Sequence, residues 1–405
     1  MVDHRKLGRE LELFSSDPLA GAGLPFWQPR GAAARHAVEQ HIRELERRHG
    51  YQHVVSPPLG RSELFRISRH LDHFADDMFP PLAMSAGDEL MLRPGLCPHH
   101  ALLYRSRGRS HRELPLRIAE QGQMFRAERS GVLGGLSRVR VISLNDGHTL
   151  CAEDQAVDEV CRELSLIRRA HDDLGVRACG FRLSLRDSSG GFVDDDAMWQ
   201  RSEAILRAAL GRAGIPYAEG PGEAAFYGPK IDVQIRDDAG REQTLSTVQI
   251  DYDKPERFDL GYVAADGSRQ RPVMIHRSLV GSMERLFAHL IEVHAGAFPA
   301  WFAPEQLVVL PVGEAQADAA WRLHRAAVDA GLRAVVAQGG SLAARIRRNA
   351  QVKVPYAAVV GEREAAAGEV SLRLRDGRVL PPRPVAAALE MIGEVVRNRS
   401  RDLLE

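Results

Sequence analysis

Four side chains suited to metal ligation or proton transfer sit in breaks of the helical rhythm: His70 in SRHLDHF, Cys97 in RPGLCPHH, His148 in NDGH and His276 in VMIHRS. A cysteine and two histidines can fill three tetrahedral positions of a zinc ion and leave the fourth for a substrate. Spacing does not group them: Cys97, His148 and His276 lie some fifty and then more than a hundred residues apart. Residue type alone favours a buried, hydrogen-bonded histidine at each position. A second signal is cationic. The run LYRSRGRSHRELPLRIAEQGQMFRAERSG, followed by GGLSRVRV, reads mostly as a solvated basic surface. Arg126 and Glu128 differ because FRAE closes an expected strand, with Arg138 and Arg140 returning on the next strand after a glycine-rich turn. Arginines matched across a hairpin can cradle a polyphosphate, since guanidinium groups bind phosphate oxygens bidentately and stabilise charge developing at phosphorus. The same pattern also serves as a salt-bridged sheet edge.

The elements that must position these groups fall into two regions with a boundary near APEQ, giving expected domains 1–303 and 304–405. In the first, long helices such as GAAARHAVEQHIRELERRHG and AEDQAVDEVCRELSLIRRAHDDLG alternate with short strands, an α+β pattern. DDAGRE between IDVQI and QTLSTVQI reads as a hairpin turn. GSMERLFAHLIEVHAG places Met283, Leu286, Phe287, Leu290 and Ile291 on one helical face that packs under a sheet. In the second region LVVLPV, LRAVVA, PYAAVVG and EVSLRLR read as strands. The helices between and after them are EAQADAAWRLHRAAVDAG, SLAARIRRNAQ and PVAAALEMIGEVVRNR, a small α/β unit with a parallel or mixed sheet.

Lys+Arg and Asp+Glu are equal at 54 each, so no overall field draws the chain to nucleic acid or membrane. Contact with phosphates must come from local patches. Four cysteines, Cys97, Cys151, Cys161 and Cys179, show no CxxC spacing, which fits a reducing compartment, with the cytoplasm as default. The first residues, MVDHRKLGRELELF, have no apolar run of a signal or anchor, and no later segment has the length to span a bilayer.

The blocks DHRKLGRELELF, LPFWQPRGAAAR, YQHVVSPP, ELPLRIAEQGQMFRAERSG, AAFYGPKID, TVQIDYDKPERF and PVMIHRSLVGSMERLFAHLIE run nearly collinear with one family. From about residue 3 onward the chain resembles the catalytic and anticodon-binding parts of bacterial threonyl-tRNA synthetases. FRAE and GSMER resemble the second and third signature motifs of class II synthetases, and the VVSP proline the first, which in the family lies at the dimer interface. The resemblance implies an antiparallel-sheet catalytic domain followed by an anticodon-binding-type domain, in a homodimer. It implies that Cys97, His148 and His276 hold one zinc per chain, which takes the amino and hydroxyl groups of threonine, while Asp146, Tyr227 and Gln249 line the amino acid site. It further implies that Arg126 bridges carboxylate and α-phosphate, Glu128 holds the adenine amino group, and Arg138 and Arg285 grip the terminal phosphate and base of an ATP that arrives with magnesium. His70 matches the family histidine that helps remove the proton of the tRNA ribose hydroxyl.

Departures from the family bear on the substrate. Gly95 and Leu96 stand where it has Met-Asn, Leu144 replaces a glutamine two residues before Asp146, and Ile142 replaces the phenylalanine that stacks on adenine. Gly134 stands for a histidine, and the acidic and basic stretch before the anticodon-facing helix reads AQGGSLAARIRR, leaving Arg373, Arg375 and the cations of ARIRRNAQVK to meet phosphates. The editing region and the small extreme N-terminal domain of the family are expected to be absent, and a pocket alone separates serine from threonine only about ten- to two-hundred-fold. Three readings follow: a threonine–tRNA ligase of truncated architecture; a paralogue that activates a larger β-hydroxy amino acid or serves a non-tRNA acceptor; and a non-catalytic synthetase-like binding protein.

Overall fold

Alternating short strands in the first three hundred residues assemble into an eight-stranded sheet in the computed structural model, which describes residues 2–404 apart from 85, 86 and 238. Its strands are β1 (Gln52–His53), β2 (Leu116–Phe125), β3 (Val141–Cys151), β4 (Gly180–Leu185), β5 (Ala218–Pro221), β6 (Lys230–Arg236), β7 (Glu242–Asp251) and β8 (Val273–Ser278). Their order is β5-β4-β6-β7-β8-β3-β2-β1, antiparallel from β4 to β2, with a parallel pair at each edge. β6 and β7 pair as the expected hairpin, with a bulge between Val233 and Gln234; residue 238 of the DDAGRE turn lies outside the described residues.

Side chains alternate across a strand, so β3 sends Ile142, Leu144, Asp146 and His148 to one face and Ser143, Asn145, Gly147 and Thr149 to the other. The second face meets the helices α1 (Pro29–Arg48), α3 (Ala156–Leu174), α4 (Asp196–Arg212) and α5 (Met283–Val293), while α2 (Cys97–Arg105) lies over the first. Val38 and Ile42 of α1, Leu164 and Ile167 of α3, and the expected apolar stripe of α5 share one core with Ile231, Val248 and Ile275 of the sheet. Buried polar groups also line that second face: Arg277 pairs with Glu46 at 2.8 Å, and a Cβ on Gly147 would stand 2.6 Å from its guanidinium carbon. Glycine there is what lets the arginine cross the sheet.

The C-terminal region forms a second sheet from β9 (Leu307–Pro311), β10 (Ala334–Val336), β11 (Tyr356–Val360), β12 (Glu369–Leu374) and β13 (Arg383–Pro384), in the order β10-β9-β11-β12-β13. The first three strands are parallel and the rest antiparallel, the mixed sheet that the alternation of elements predicts. The expected helices are α6 (Ala317–Asp329), α7 (Leu342–Val352) and α9 (Val385–Arg397); α8 (Glu362–Ala367) is an addition too short to show a helical period in the sequence. Arg30 and Glu305 pair at 2.9 Å across the two regions, and Arg333 donates to the carbonyls of Trp301 and Ala303.

Candidate active site

His276 lies directly opposite His148 on β3 and Gln249 on β7, so cross-strand register brings these side chains to one face. Cys97 is the first residue of α2, where Pro98 fits the first helical turn. The sequence context had suggested a break in structure; Cys97 instead opens a helix and His70 opens the short helix His70–Phe74. The ligand-type atoms of Cys97, His148 and His276 all lie within 4.8 Å of one another. His276 Nε2 is 2.7 Å from Asp251 Oδ2. A carboxylate only accepts, so that nitrogen donates and Nδ1 keeps its lone pair, 3.0 Å from His148 Nε2. One sulfur and two imidazole nitrogens converging in a buried site fit the donor set of a zinc ion with one position left open.

Burial sets the protonation of the groups around this cluster. It raises the Cys97 thiol to about 12, with Asp146 and Asp251 adding to the effect and Lys254 opposing it. It lowers His148 and His70 well below the usual histidine range and raises Asp146 to about 7. Burial opposes ionisation of Asp251, yet the charge of Lys254 and the hydrogen bond from His276 hold its carboxyl below the usual range. His70 Nδ1 meets Ser68 Oγ at 2.8 Å, and its Nε2 lies 4.0 Å from Cys97 Sγ. Tyr227 stacks on His276, with centroids 5.0 Å apart, and donates to Gln249 Oε1 at 2.6 Å.

The cluster floors one end of a cavity of about 500 Å³. Gly95, Leu144, Asp146, Tyr227, Gln249 and His70 line it near Cys97 and His276, and Ile142, Glu128, Arg126, Arg138 and Arg285 line it farther on; His148 sits behind the wall. Arg138 pairs with Glu128 at 2.8 Å, and Arg285 donates to the carbonyls of Ser137 and Thr244. Arg126 lies 5.6 Å over the Phe74 ring, and among the described residues its guanidinium makes no hydrogen bond or ion pair.

Several expectations change. Arg138 and Arg140 precede β3 rather than lying on it. Arg140 turns away to donate to the carbonyls of Glu128 and Ala22, so Arg285 takes its place in the cradle. In the C-terminal region Arg375 donates to the Phe298 carbonyl, Lys353 to that of Ala295, and Arg345 is buried against the Ala337 carbonyl, which removes three of the cations expected to face phosphates. Arg347, Arg348 and Arg373 stay exposed. Sequence reasoning missed Asp251, His100 and Glu120. For Asp251 a signal was present, since it shares a strand face with Gln249.

Comparison with known proteins places the geometry in context. Residues 82–294 match the model of the tRNA synthetase class II core domain (G, H, P, S and T), and residues 306–395 match the anticodon binding domain. The threonine–tRNA ligase of Streptococcus mutans is 45% identical over 403 residues, which is 98% of this chain and 62% of that protein. The chain thus spans less than two thirds of the curated relatives it matches. Among solved structures, the one titled as the RNA binding domain of threonyl-tRNA synthetase from Cryptosporidium parvum superimposes with a TM-score of 0.92 at 30% identity, covering 97% of this chain and 98% of that one. The putative threonyl-tRNA synthetase ThrRS-1 of Aeropyrum pernix gives 0.84 at 28% identity, covering 99% and 98%.

Proposed function

The chain belongs to the threonyl-tRNA synthetase family of class II synthetases, and from that premise we propose that it activates threonine with ATP and transfers it to tRNA. The observation that carries this reading is the convergence of Cys97, His148 and His276 at one end of a cavity whose other end presents Arg126, Arg138 and Arg285.

Cys97, His148 and His276 would hold zinc, which would supply Lewis acidity toward the amino and hydroxyl groups of a β-hydroxy amino acid; valine has no hydroxyl to offer. The protein groups do the rest. Asp146 faces the substrate hydroxyl, and Tyr227 and Gln249 close the amino acid site. Arg126 holds the substrate carboxylate against the α-phosphate of ATP, Glu128 takes the adenine amino group beside Ile142, and Arg138 and Arg285 neutralise the terminal phosphates, with magnesium bound to the nucleotide. A carboxylate oxygen then forms a bond to the α-phosphorus as the bond to pyrophosphate breaks, so positioning and charge neutralisation supply the catalysis. In the transfer step a terminal ribose hydroxyl of tRNA attacks the carbonyl and AMP leaves. His70 lines the cavity and is held neutral by burial, so a ring nitrogen lone pair is open to the hydroxyl proton although burial also lowers its basicity. We place the domain boundary between residues 303 and 304 and assign a cytoplasmic homodimer with an interface beside β1, where Val55 is 93% exposed. No helix among the described residues is long and apolar enough to cross a membrane.

A larger β-hydroxy amino acid is the second reading, favoured by open space beside Gly95: a Cβ there would meet only His70 Nε2, at 3.6 Å. ATP–pyrophosphate exchange over a panel of amino acids, followed by charging of bulk tRNA, separates these. Threonine-dependent exchange with charging supports the ligase, preference for a bulkier substrate supports the second reading, and no exchange with any amino acid contradicts both.

A further inference from the structure

We propose that His100, oriented by Glu120, is a positioning residue that decides which nitrogen of His148 faces the Cys97/His276 cluster. The inference rests on the zinc reading of that cluster and concerns groups behind it. His100 is fully buried on the inner face of α2, and its Nε2 lies 3.1 Å from Glu120 Oε2. Its Nδ1 lies 2.7 Å from His148 Nδ1, and His148 Nε2 points at His276 Nδ1.

The direction of each hydrogen bond follows from what Glu120 can do. Its carboxylate accepts from Ser56 Oγ at 2.6 Å and from Arg93 at 3.1 Å, so it stands between donors and cannot itself donate. His100 Nε2 must therefore carry the proton, and the neutral ring offers only a lone pair at Nδ1. His148 Nδ1 must then donate to it, which leaves His148 Nε2 with a lone pair facing the cluster. On the other side Asp251 forces the same outcome on His276. Two lone pairs 3.0 Å apart repel each other unless a cation lies between them. The carboxylate–histidine–histidine chain thus prepares a ligand atom that His148 alone, free to adopt either tautomer, would present only part of the time.

Two polar substitutions test the direction of the chain. In His100→Asn the amide oxygen can occupy the place of Nδ1 and still accept from His148. In His100→Gln the amide reaches toward Glu120 and offers nothing to His148. Zinc dissociation constants, measured by competition with a chromogenic chelator on proteins checked for folding by circular dichroism, are expected to rise ten- to a hundredfold in H100Q and to stay within about threefold of wild type in H100N. Equal affinities in the two variants would overturn the inference while leaving the zinc reading intact. A wild-type protein that takes up no zinc would remove both. Should the variants not fold, 15N spectra of histidine-labelled wild-type protein stripped of metal decide: a proton on Nδ1 of His148 supports the chain, and one on Nε2 overturns it.

Discussion

The two ends of the cavity are built on opposite plans. At the cluster end, His276 is tied to Asp251, His148 to His100, and His100 to Glu120, so the groups are fixed before any substrate arrives. At the phosphate end Arg126 rests on Phe74 without a hydrogen-bonding partner among the described residues, and Arg138 is half exposed beside Glu128. A metal ion held at the cluster end would need fixed geometry because coordination tolerates little displacement. The phosphate end leaves Arg126 without a carboxylate partner among the described residues, so an incoming polyphosphate need not displace an ion pair there.

If this contrast is right, damage at the two ends should be separable. The largest effect is expected from Cys97→Ser, which should lose zinc and lower threonine-dependent pyrophosphate exchange by about three orders of magnitude or more while the protein stays folded. Metal analysis, exchange and circular dichroism check this, and retention of zinc would break the comparison. Arg126→Ala should lower exchange by about a hundredfold or more with zinc content unchanged; loss of zinc in that variant would mean the ends are not independent.

Acid should act on the cluster end first. The buried Cys97 thiol is protonated at neutral pH and must release that proton to bind metal, so zinc affinity should rise about tenfold per pH unit between 6 and 8. A flat profile in chelator competition would contradict the assignment of Cys97 as a ligand. Gly95→Met should favour threonine over bulkier β-hydroxy amino acids by about tenfold, read as a ratio of kcat/KM values; an unchanged ratio would show that the space beside Gly95 does not touch the substrate. The smallest effect is expected from Ile142→Phe, where an added aromatic face should lower the KM for ATP a few-fold; an unchanged KM would place adenine elsewhere.

How much of this could be read from sequence differed in the same way. Period-two and helical patterns marked the strands and helices, because each pattern is local. Cys97, His148 and His276 were grouped only through family resemblance, since the contact that joins them is a register between β3 and β8 that no short stretch encodes. Arg140 was taken for a cradle residue because its sequence position is symmetrical with Arg126, whereas in the fold its side chain runs back to Ala22. Arg375 and Lys353 looked like free cations for the same reason, and their partners lie 77 and 58 residues away. His100 and Glu120 gave no signal, because a buried relay is defined by the order of its hydrogen bonds rather than by residue type.

The central claim is that Cys97, His148 and His276 select the substrate through a metal. The most direct measurement is pyrophosphate exchange with threonine and with valine, on protein stripped of metal and then reconstituted with one equivalent of zinc. The account predicts that the stripped protein activates neither, and that zinc restores threonine over valine by about four powers of ten. Threonine exchange that survives complete removal of zinc would contradict it.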